Sequence, residues 1–268
     1  MGDMLLDSHH HFDFLSADVR AAFLRALSVE GVRVVAQTLT PAAFVELVDA
    51  AGALDVDEAS LPLWSLGLHP WYLGDEVAAD AALAEFASAV HRTRFVGEIG
   101  LDFSPRRLED APALLQVRVL RAVLQQVRDA AARASAERPY VLSIHAVRAA
   151  GEVLDLLEEL EVDPQHVVPV FHWYSGTSQD LTRLVRLGGH ISVHPSMLAG
   201  KRGRAYVKQV PADRLLLESD LPEAPDTAAS ADELVGTLRQ TLASLSDLRG
   251  CDMATEVCRT QERLYGVG

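Results

Sequence analysis

Two histidines near the start of the chain are spaced so that both can bind one metal ion. His9 and His11 lie two residues apart, directly after the apolar run at residues 4–6. In an extended strand, alternate side chains point to the same face, so both imidazoles can approach a single ion. Imidazole and carboxylate are common ligands of divalent metals. A solvated polar turn or a tag remnant is the alternative interpretation, and the shared face favours metal binding.

Further histidines and carboxylates stand where later apolar runs end. They are His69, Glu98, His145, His172, His194, Glu218 and Asp220. Barrel enzymes carry their chemistry at the carboxyl ends of their strands, whereas ionisable residues placed by chance would be scattered along them. The set therefore predicts an active site. For any one of these histidines, a hydrogen-bonded core or loop position remains the simpler interpretation.

The ligand types favour metal-assisted hydrolysis. Imidazoles with carboxylates suit magnesium, manganese or zinc, and a carboxylate such as Glu98 can bridge two ions. Two neighbouring ions can activate water and hold both the attacking and the leaving oxygen. Asp220 could bind metal and accept the proton of the attacking water. The chain has no G-x-S-x-G motif and neither cysteine stands at a strand end, so a Ser or Cys nucleophile is disfavoured.

Hydrophobic patterning predicts eight strands that alternate with helices. The strands are expected at residues 4–9, 32–38, 63–70, 95–102, 140–146, 167–173, 189–195 and 214–220. The helices are expected at residues 17–30, 41–51, 76–92, 110–136, 148–160, 177–187, 200–209 and 230–264, with a break in the last near Gly250. This alternation predicts an α/β fold of the (β/α)₈ TIM-barrel class.

An open doubly wound sheet is the alternative fold, and the absence of G-x-G-x-x-G after the first strand weighs against its dinucleotide-binding form. No repeat or change in composition divides the chain, so a single domain over residues 1–268 is expected. The longer loops are predicted at residues 103–112 and 221–229.

Composition limits the functional class. The chain has 268 residues, of which 49% are hydrophobic, and these allow a sizeable core. Its formal charge of −14 argues against broad nonspecific binding to nucleic-acid phosphates, although bound cations would reverse the sign locally. We expect no membrane span and no secretory signal. The two cysteines, Cys251 and Cys258, suit a reducing cytoplasm.

Six short motifs, taken in order, resemble those of the TatD-type metal-dependent deoxyribonucleases. They are D-S-H-H-H at residues 7–11, G-L-H-P at 67–70, G-E-I-G-L-D at 97–102, I-H at 144–145, H-W-Y-S-G at 172–176 and L-L-E-S-D at 216–220. The resemblance covers nearly the whole chain. It implies a (β/α)₈ barrel of the amidohydrolase superfamily that cleaves phosphodiester bonds in DNA.

The resemblance also implies two divalent metal ions. One ion is assigned to His9, His11, Glu98 and Asp220, and the other to Glu98, His145 and His172. His69 is expected beside them, where it contacts a phosphate oxygen or orients a ligand. Glu218 is expected to orient His9 or a water. Asp102 and His194 are placed in the same supporting role, although His194 could equally face substrate or cap a loop.

Within the family, the motifs at residues 142–150, 172–176 and 191–198 look most like the TatD-like component of Qat-type antiphage systems. That placement implies partner proteins and a role in defence.

The chain departs from the family at three points. Trp71 replaces the second histidine of H-P-H, Arg148 stands where the usual H-S-R-D-A motif is altered, and residues 221–229 lack the G-K-R-N-x-P stretch.

The expected substrate is therefore DNA, preferably a single strand or a 3′ end. The contacts that bind it are expected to differ from those of typical family members. His69, Arg148, Trp173, Lys201 and Arg202 are predicted to contact it. Trp71, Phe103 and Tyr174 are further aromatics that could stack on bases, or simply pack in loops. Hydrolysis of an amide, lactone or aminoacyl ester is the alternative reaction, and a binding subunit of a defence complex is the alternative class.

Overall fold

Parallel strands alternate with helices along the chain. The computed structural model describes residues 4–134, 138–225 and 230–268. The strands are β1 (Leu5–His10), β2 (Val32–Ala36), β3 (Leu63–Leu68), β4 (Phe95–Asp102), β5 (Tyr140–Val147), β6 (Val167–Phe171), β7 (His190–Val193) and β8 (Leu215–Leu217). They follow one another in the sheet in chain order, and the registered pairs are parallel. This order confirms the (β/α)₈ class, because a doubly wound sheet reverses its strand order partway.

The helices follow the strands as their apolar periodicity predicts. They are α1 (Ala17–Val29), α2 (Pro41–Ala50), α3 (Glu76–Ala89), α4 (Pro105–Asp110), α5 (Ala113–Arg133), α6 (Ala150–Glu159), α7 (Ser178–Arg186), α8 (Pro195–Ala199), α9 (Lys201–Gln209), α10 (Ala231–Arg249) and α11 (Ala254–Tyr265). The predicted break in the last helix is confirmed: Gly250 ends α10 with a φ of +67°, a left-handed conformation that glycine adopts readily.

Two prolines begin helices that the sequence analysis missed. The predicted loop at residues 103–112 contains α4, which starts at Pro105, and α5 starts only at Ala113. Pro195 likewise starts α8, ahead of the predicted helix at residues 200–209. Proline suits the first helical turn because its φ is already helical and its missing amide would have no partner there. Residues 135 and 136 of the predicted helix lie outside the described part.

Five strands end two or three residues earlier than predicted. The strands expected at residues 32–38, 63–70, 167–173, 189–195 and 214–220 end at Ala36, Leu68, Phe171, Val193 and Leu217. The polar residues that follow them therefore belong to connecting segments. Their side-chain directions follow from local turns and hydrogen bonds, and not from strand alternation.

The chain forms two compact units. The first contains Met1–Gln37, Glu46–Trp64 and Ile191–Gly268, and the second contains Thr38–Val45 and Ser65–His190. The first thus holds β1, β2, β7 and β8, and the second holds β4, β5 and β6. The expectation of a single domain stays a prediction.

Each unit has aliphatic strands at its centre. In the first, Leu6, Val34 and Leu216 are almost fully buried, and in the second Val96 and Ile144 are inaccessible to solvent. Full burial of such a side chain contributes about 1.5–3 kcal/mol. These rows of apolar side chains hold the strands whose ends carry the polar residues.

Gly67 marks a point where two backbones approach too closely for a side chain. A Cβ at Gly67 would lie 1.6 Å from the carbonyl oxygen of Thr38. The Thr38 hydroxyl also accepts a hydrogen bond from the Gly67 amide at 3.0 Å. The close approach therefore requires glycine in β3.

We expect Gly67→Ala to lower the free energy of unfolding by at least about 3 kcal/mol, because the backbone of Thr38 would have to move. Denaturant unfolding followed by circular dichroism measures the effect. Gly236→Ala is the matched control, since no atom lies within 4 Å of its added Cβ. In a helix interior this control should be more stable by about 0.5–1 kcal/mol. Equal stabilities for the two variants would contradict the assignment.

Candidate metal-binding clusters

The first unit brings together two histidines and a carboxylate after β1 and β8. The Nε2 atoms of His9 and His11 lie 3.5 and 3.3 Å from Oδ1 of Asp220. The two imidazoles meet edge to face, with ring centroids 5.1 Å apart. Both histidines are buried, whereas the Asp220 side chain is 21% exposed. Nitrogen and oxygen donors therefore converge on one point that solvent reaches from the Asp220 side.

Asp7 fixes the position of this cluster from within the core. Its Oδ1 accepts hydrogen bonds from the amides of His9, at 3.1 Å, and Ser219, at 3.0 Å. Its Oδ2 accepts from the Ser219 hydroxyl. The amide of Asp220 in turn donates to the carbonyl of His9 at 3.0 Å. One buried carboxylate thus ties β1 to the segment that carries Asp220.

Burial raises the pKa of Asp7 to about 7, although the hydrogen bonds from Ser219 and His9 act in the opposite direction. The nearby Glu218 adds to the rise. Such a carboxylate is costly to bury without hydrogen bonds, and here three donors reduce the cost.

His10 points away from the pair that flanks it. Its ring packs against Phe23 and Phe12, with centroid distances of 5.3 and 6.4 Å. Burial lowers its pKa to about 3, so the ring is neutral. Neither ring nitrogen has a hydrogen-bond partner among the described residues. The alternation along β1 therefore places His10 in an apolar environment, as predicted from the spacing.

In the second unit, three imidazoles surround one oxygen of Glu98. Nδ1 of His145 and Nε2 of His172 each lie 2.9 Å from Glu98 Oε1, and Nε2 of His69 lies 3.3 Å from it. Glu98 comes from β4, His145 from β5, and His172 directly follows β6. All four side chains are buried. These strand ends meet because β4, β5 and β6 are neighbours in the sheet.

Hydrogen bonding favours a supporting role for His69 in this cluster, with Nε2 as a donor to Glu98. Its Nδ1 accepts a hydrogen bond from the amide of Trp71 at 3.2 Å, because His69 caps the short turn that Pro70 begins. A neutral ring that accepts at Nδ1 carries its proton on Nε2. That N–H points to Glu98, so His69 is a donor to an oxygen. Its predicted place beside the ligands fits this geometry.

Asp102 orients His145 from behind. Its Oδ2 lies 3.3 Å from Nε2 of His145 and accepts a hydrogen bond from the indole N–H of Trp71 at 2.7 Å. Nδ1 of His145 is thereby directed toward Glu98. Metal-binding histidines commonly donate their second N–H to a carboxylate in this way. The predicted supporting role of Asp102 fits the arrangement.

Hydrogen bonds shift the pKa values of Asp102 and His145 in opposite directions. Burial raises the pKa of Asp102, but hydrogen bonds from His145, Ser104 and Trp71 outweigh burial and hold it well below its usual range. Burial lowers the pKa of His145, but hydrogen bonds to Asp102 and Glu98 reverse the direction and raise it. The carboxylate of Asp102 is therefore ionised at neutral pH.

The strand predicted at residues 214–220 ends at Leu217, so Glu218 and Asp220 lie in the segment beyond β8. Asp220 has a φ of +57°, in the left-handed region. Glu218 is fully buried and accepts a hydrogen bond from the hydroxyl of Ser192. His194 caps α8, and its Nδ1 accepts from the amide of Ser196 at 3.2 Å. This geometry favours the capping interpretation of His194.

The predicted substrate residues fall into two groups. Arg148 is the first residue after β5 and Trp173 the second after β6, and both have left-handed backbones, with φ of +56° and +38°. They lie in the unit that carries the Glu98 cluster. Lys201 and Arg202 lie in the first turn of α9, in the other unit, where Arg202 bonds to the hydroxyl of Tyr206. Substrate contact by all four stays a prediction.

The two clusters fit divalent metal ions by the chemistry of their donors. The ligand atoms of His9, His11 and Asp220 lie within 4.8 Å of one another. In the other cluster, Nδ1 of His145 and Nε2 of His172 lie 3.4 Å apart, and each lies 2.9 Å from Oε1 of Glu98. Buried imidazoles facing carboxylates match the donors of zinc and manganese sites. The sharing of Glu98 between two ions stays a prediction.

The comparisons with known proteins agree with this chemistry. A sequence model of the TatD-related DNase family matches residues 6–265. "Uncharacterized metal-dependent hydrolase YabD" of Bacillus subtilis is 23% identical over 223 residues, which are 82% of this chain and 80% of that protein. Human deoxyribonuclease TATDN3 is 28% identical over 143 residues, 53% of this chain but only 48% of its own length. The crystal structure of YJJV, a TatD homologue from Escherichia coli, superposes with a TM-score of 0.77 at 24% identity and covers 98% of each chain.

The strand order and the histidine and carboxylate clusters define a metal-dependent hydrolase of the (β/α)₈ class. The chain belongs to the TatD-related DNase family.

Sequence reasoning missed Ser219 and Arg107. Ser219 completes the Asp7 hydrogen bonds, and Arg107 stacks on Trp71 with its guanidinium carbon 3.7 Å from the ring centroid. The position of Ser219 between Glu218 and Asp220 was a signal that could have been used. The sequence offers no such signal for Arg107, because its partner Trp71 is 36 residues away in the chain.

We expect His9→Ala to lose bound metal and His10→Leu to keep it, because His9 faces Asp220 whereas His10 packs against Phe12 and Phe23. His10→Leu should also raise the free energy of unfolding by about 1 kcal/mol, since it replaces a buried ring without hydrogen bonds by an apolar side chain of similar volume. Metal content by plasma mass spectrometry and denaturant unfolding measure the two effects. Equal metal loss in both variants would show that strand alternation does not select the ligands.

Proposed function

We propose that the protein hydrolyses phosphodiester bonds in DNA and uses two divalent ions, one in each cluster. The observation that carries the proposal is that each cluster offers two imidazoles and one carboxylate. His9, His11 and Asp220 form the first set, with His145, His172 and Glu98 forming the second. The name of the family and that of human TATDN3 support DNA as the substrate.

A bound divalent ion supplies Lewis acidity toward a phosphoryl oxygen and makes water more acidic. The chain supplies the proton acceptor. Asp220 is the most exposed member of its cluster, so its carboxylate can meet water and take a proton from it. His69 supplies a hydrogen-bond donor. Its Nδ1 accepts from the Trp71 amide, which leaves the proton on Nε2. The Nε2–H that now faces Glu98 can donate to a phosphate oxygen instead.

We infer that the preferred substrate is a single strand or a frayed 3′ end. Arg148 and Trp173 lie just beyond the strands that carry the second cluster, where they can meet a phosphate and a base. Asp226 and the rest of residues 226–229, part of the loop without the family's phosphate-binding stretch, lie outside the described residues.

The role in antiphage defence and the partner proteins that it implies rest on motif resemblance alone and stay predictions. The cytoplasmic location also stays a prediction. Within the described ranges, none of the helices has the length and hydropathy needed to cross a membrane.

We expect the purified protein with manganese, magnesium or zinc to cleave single-stranded DNA. Asp220→Asn should lower the rate by roughly 10²–10⁴-fold, because it removes both a ligand and the proton acceptor. A gel assay with an end-labelled strand measures cleavage, and excess chelator should abolish it until metal is restored. Asp247→Asn is the control, because this aspartate is exposed in the same unit.

Two outcomes would contradict DNA hydrolysis. Uncut DNA with every metal, together with hydrolysis of an aminoacyl ester, would select the alternative reaction, which the formal charge of −14 favours. An Asp220→Asn variant that kept full biological effect would instead select a binding subunit whose own catalysis is dispensable.

A further inference from the structure

We propose that Trp71 and Arg107 form a stacking site for an unpaired nucleobase next to the Glu98 cluster. This inference rests on the proposed function and adds a substrate contact to it. The site belongs wholly to the second unit.

The indole of Trp71 is held rigidly. Its N–H donates to Asp102 at 2.7 Å, and its ring meets the edge of His69 at a centroid distance of 4.9 Å. The guanidinium of Arg107 lies 3.7 Å from the centre of the indole ring. Three neighbours thus fix the position of one flat aromatic surface beside the cluster.

This rigid surface nevertheless stays open to solvent. Trp71 is 43% exposed, and the neighbouring Tyr72 is 48% exposed. With Trp173, at 41%, they are the exposed aromatic side chains of the described ranges. All three follow strands whose ends carry His69 or His172.

Arg107 brings a positive charge that is only weakly paired. Among the residues that the structure describes, its one ion-pair partner is Asp110, which lies 3.8 Å away at the end of the short helix α4. The carboxylate of Asp110 is itself largely exposed. A guanidinium plane can stack on a base while its edge binds a phosphate.

The chemistry of the site selects single-stranded nucleic acid. A flat aromatic ring beside a guanidinium binds a planar aromatic group with a nearby negative charge. A nucleotide in a single strand offers both. The bases of a duplex are already stacked on one another and present only their edges, so a duplex would have to open before it could occupy the site.

The test measures DNA binding apart from cleavage, in full-length protein that carries Asp220→Asn. A fluorescein-labelled strand of about ten nucleotides is titrated by anisotropy with saturating manganese, next to a strand of equal length with abasic sugars. Arg107→Gln should weaken binding of the normal strand by about five- to tenfold and of the abasic strand by about twofold at most. Arg107→Lys, which keeps the charge but not the plane, should resemble Arg107→Gln on the normal strand.

Arg106→Gln is the matched control, because it removes the same charge from the adjacent exposed residue. Arg106→Gln should weaken the binding of both strands alike, by about twofold at most. Equal effects of Arg107→Gln and Arg106→Gln, or an equal loss on both strands for Arg107→Gln, would overturn the stacking site. Failure of the proposed function shows separately, as wild-type protein with metal that leaves DNA uncut, because the binding comparison does not depend on hydrolysis.

Discussion

The buried carboxylate of Asp7 is the interaction on which the first cluster depends. It binds the amide of His9 on one side and both the amide and the hydroxyl of Ser219 on the other. Two segments more than 200 residues apart in the chain are joined by these bonds. An unpaired buried carboxylate would cost several kcal/mol, so the local structure must keep these donors in place. The imidazole of His9, a proposed metal ligand, and the carboxylate of Asp220 are positioned as a consequence.

The second cluster is organised by the choice of ring nitrogen. Asp102 binds Nε2 of His145 and leaves Nδ1 for Glu98, whereas the Trp71 amide binds Nδ1 of His69 and leaves an Nε2 donor. Two histidines around one carboxylate oxygen therefore present different ring nitrogens: His145 directs Nδ1 toward Glu98, and His69 directs Nε2 toward it. The distinction comes from neighbours outside the cluster and not from the histidines themselves.

Three of the four described non-glycine residues with positive φ follow strands, and the fourth, Glu161, follows α6. Arg148, Trp173 and Asp220 all have positive φ, and each stands within three residues of a strand end. For residues other than glycine, a positive φ costs about 1–3 kcal/mol, which the surrounding structure must offset. Such conformations occur often at functional sites, and here two of the three residues were predicted to meet substrate and the third to bind metal.

The sequence by itself determined the fold class and the proposed ligands. Apolar runs alternating with helical periodicity predict the strand order, and strand alternation correctly separates His10 from His9 and His11. Only the tertiary structure decided the rest. Glu218 and Asp220 lie outside β8, so local backbone conformation and the Asp7 hydrogen bonds, not strand alternation, set their directions. The roles of Asp102, Trp71 and Arg107 depend on contacts between residues about 30 or more positions apart. No local pattern encodes such contacts, because they form only when neighbouring strands bring their connecting segments together.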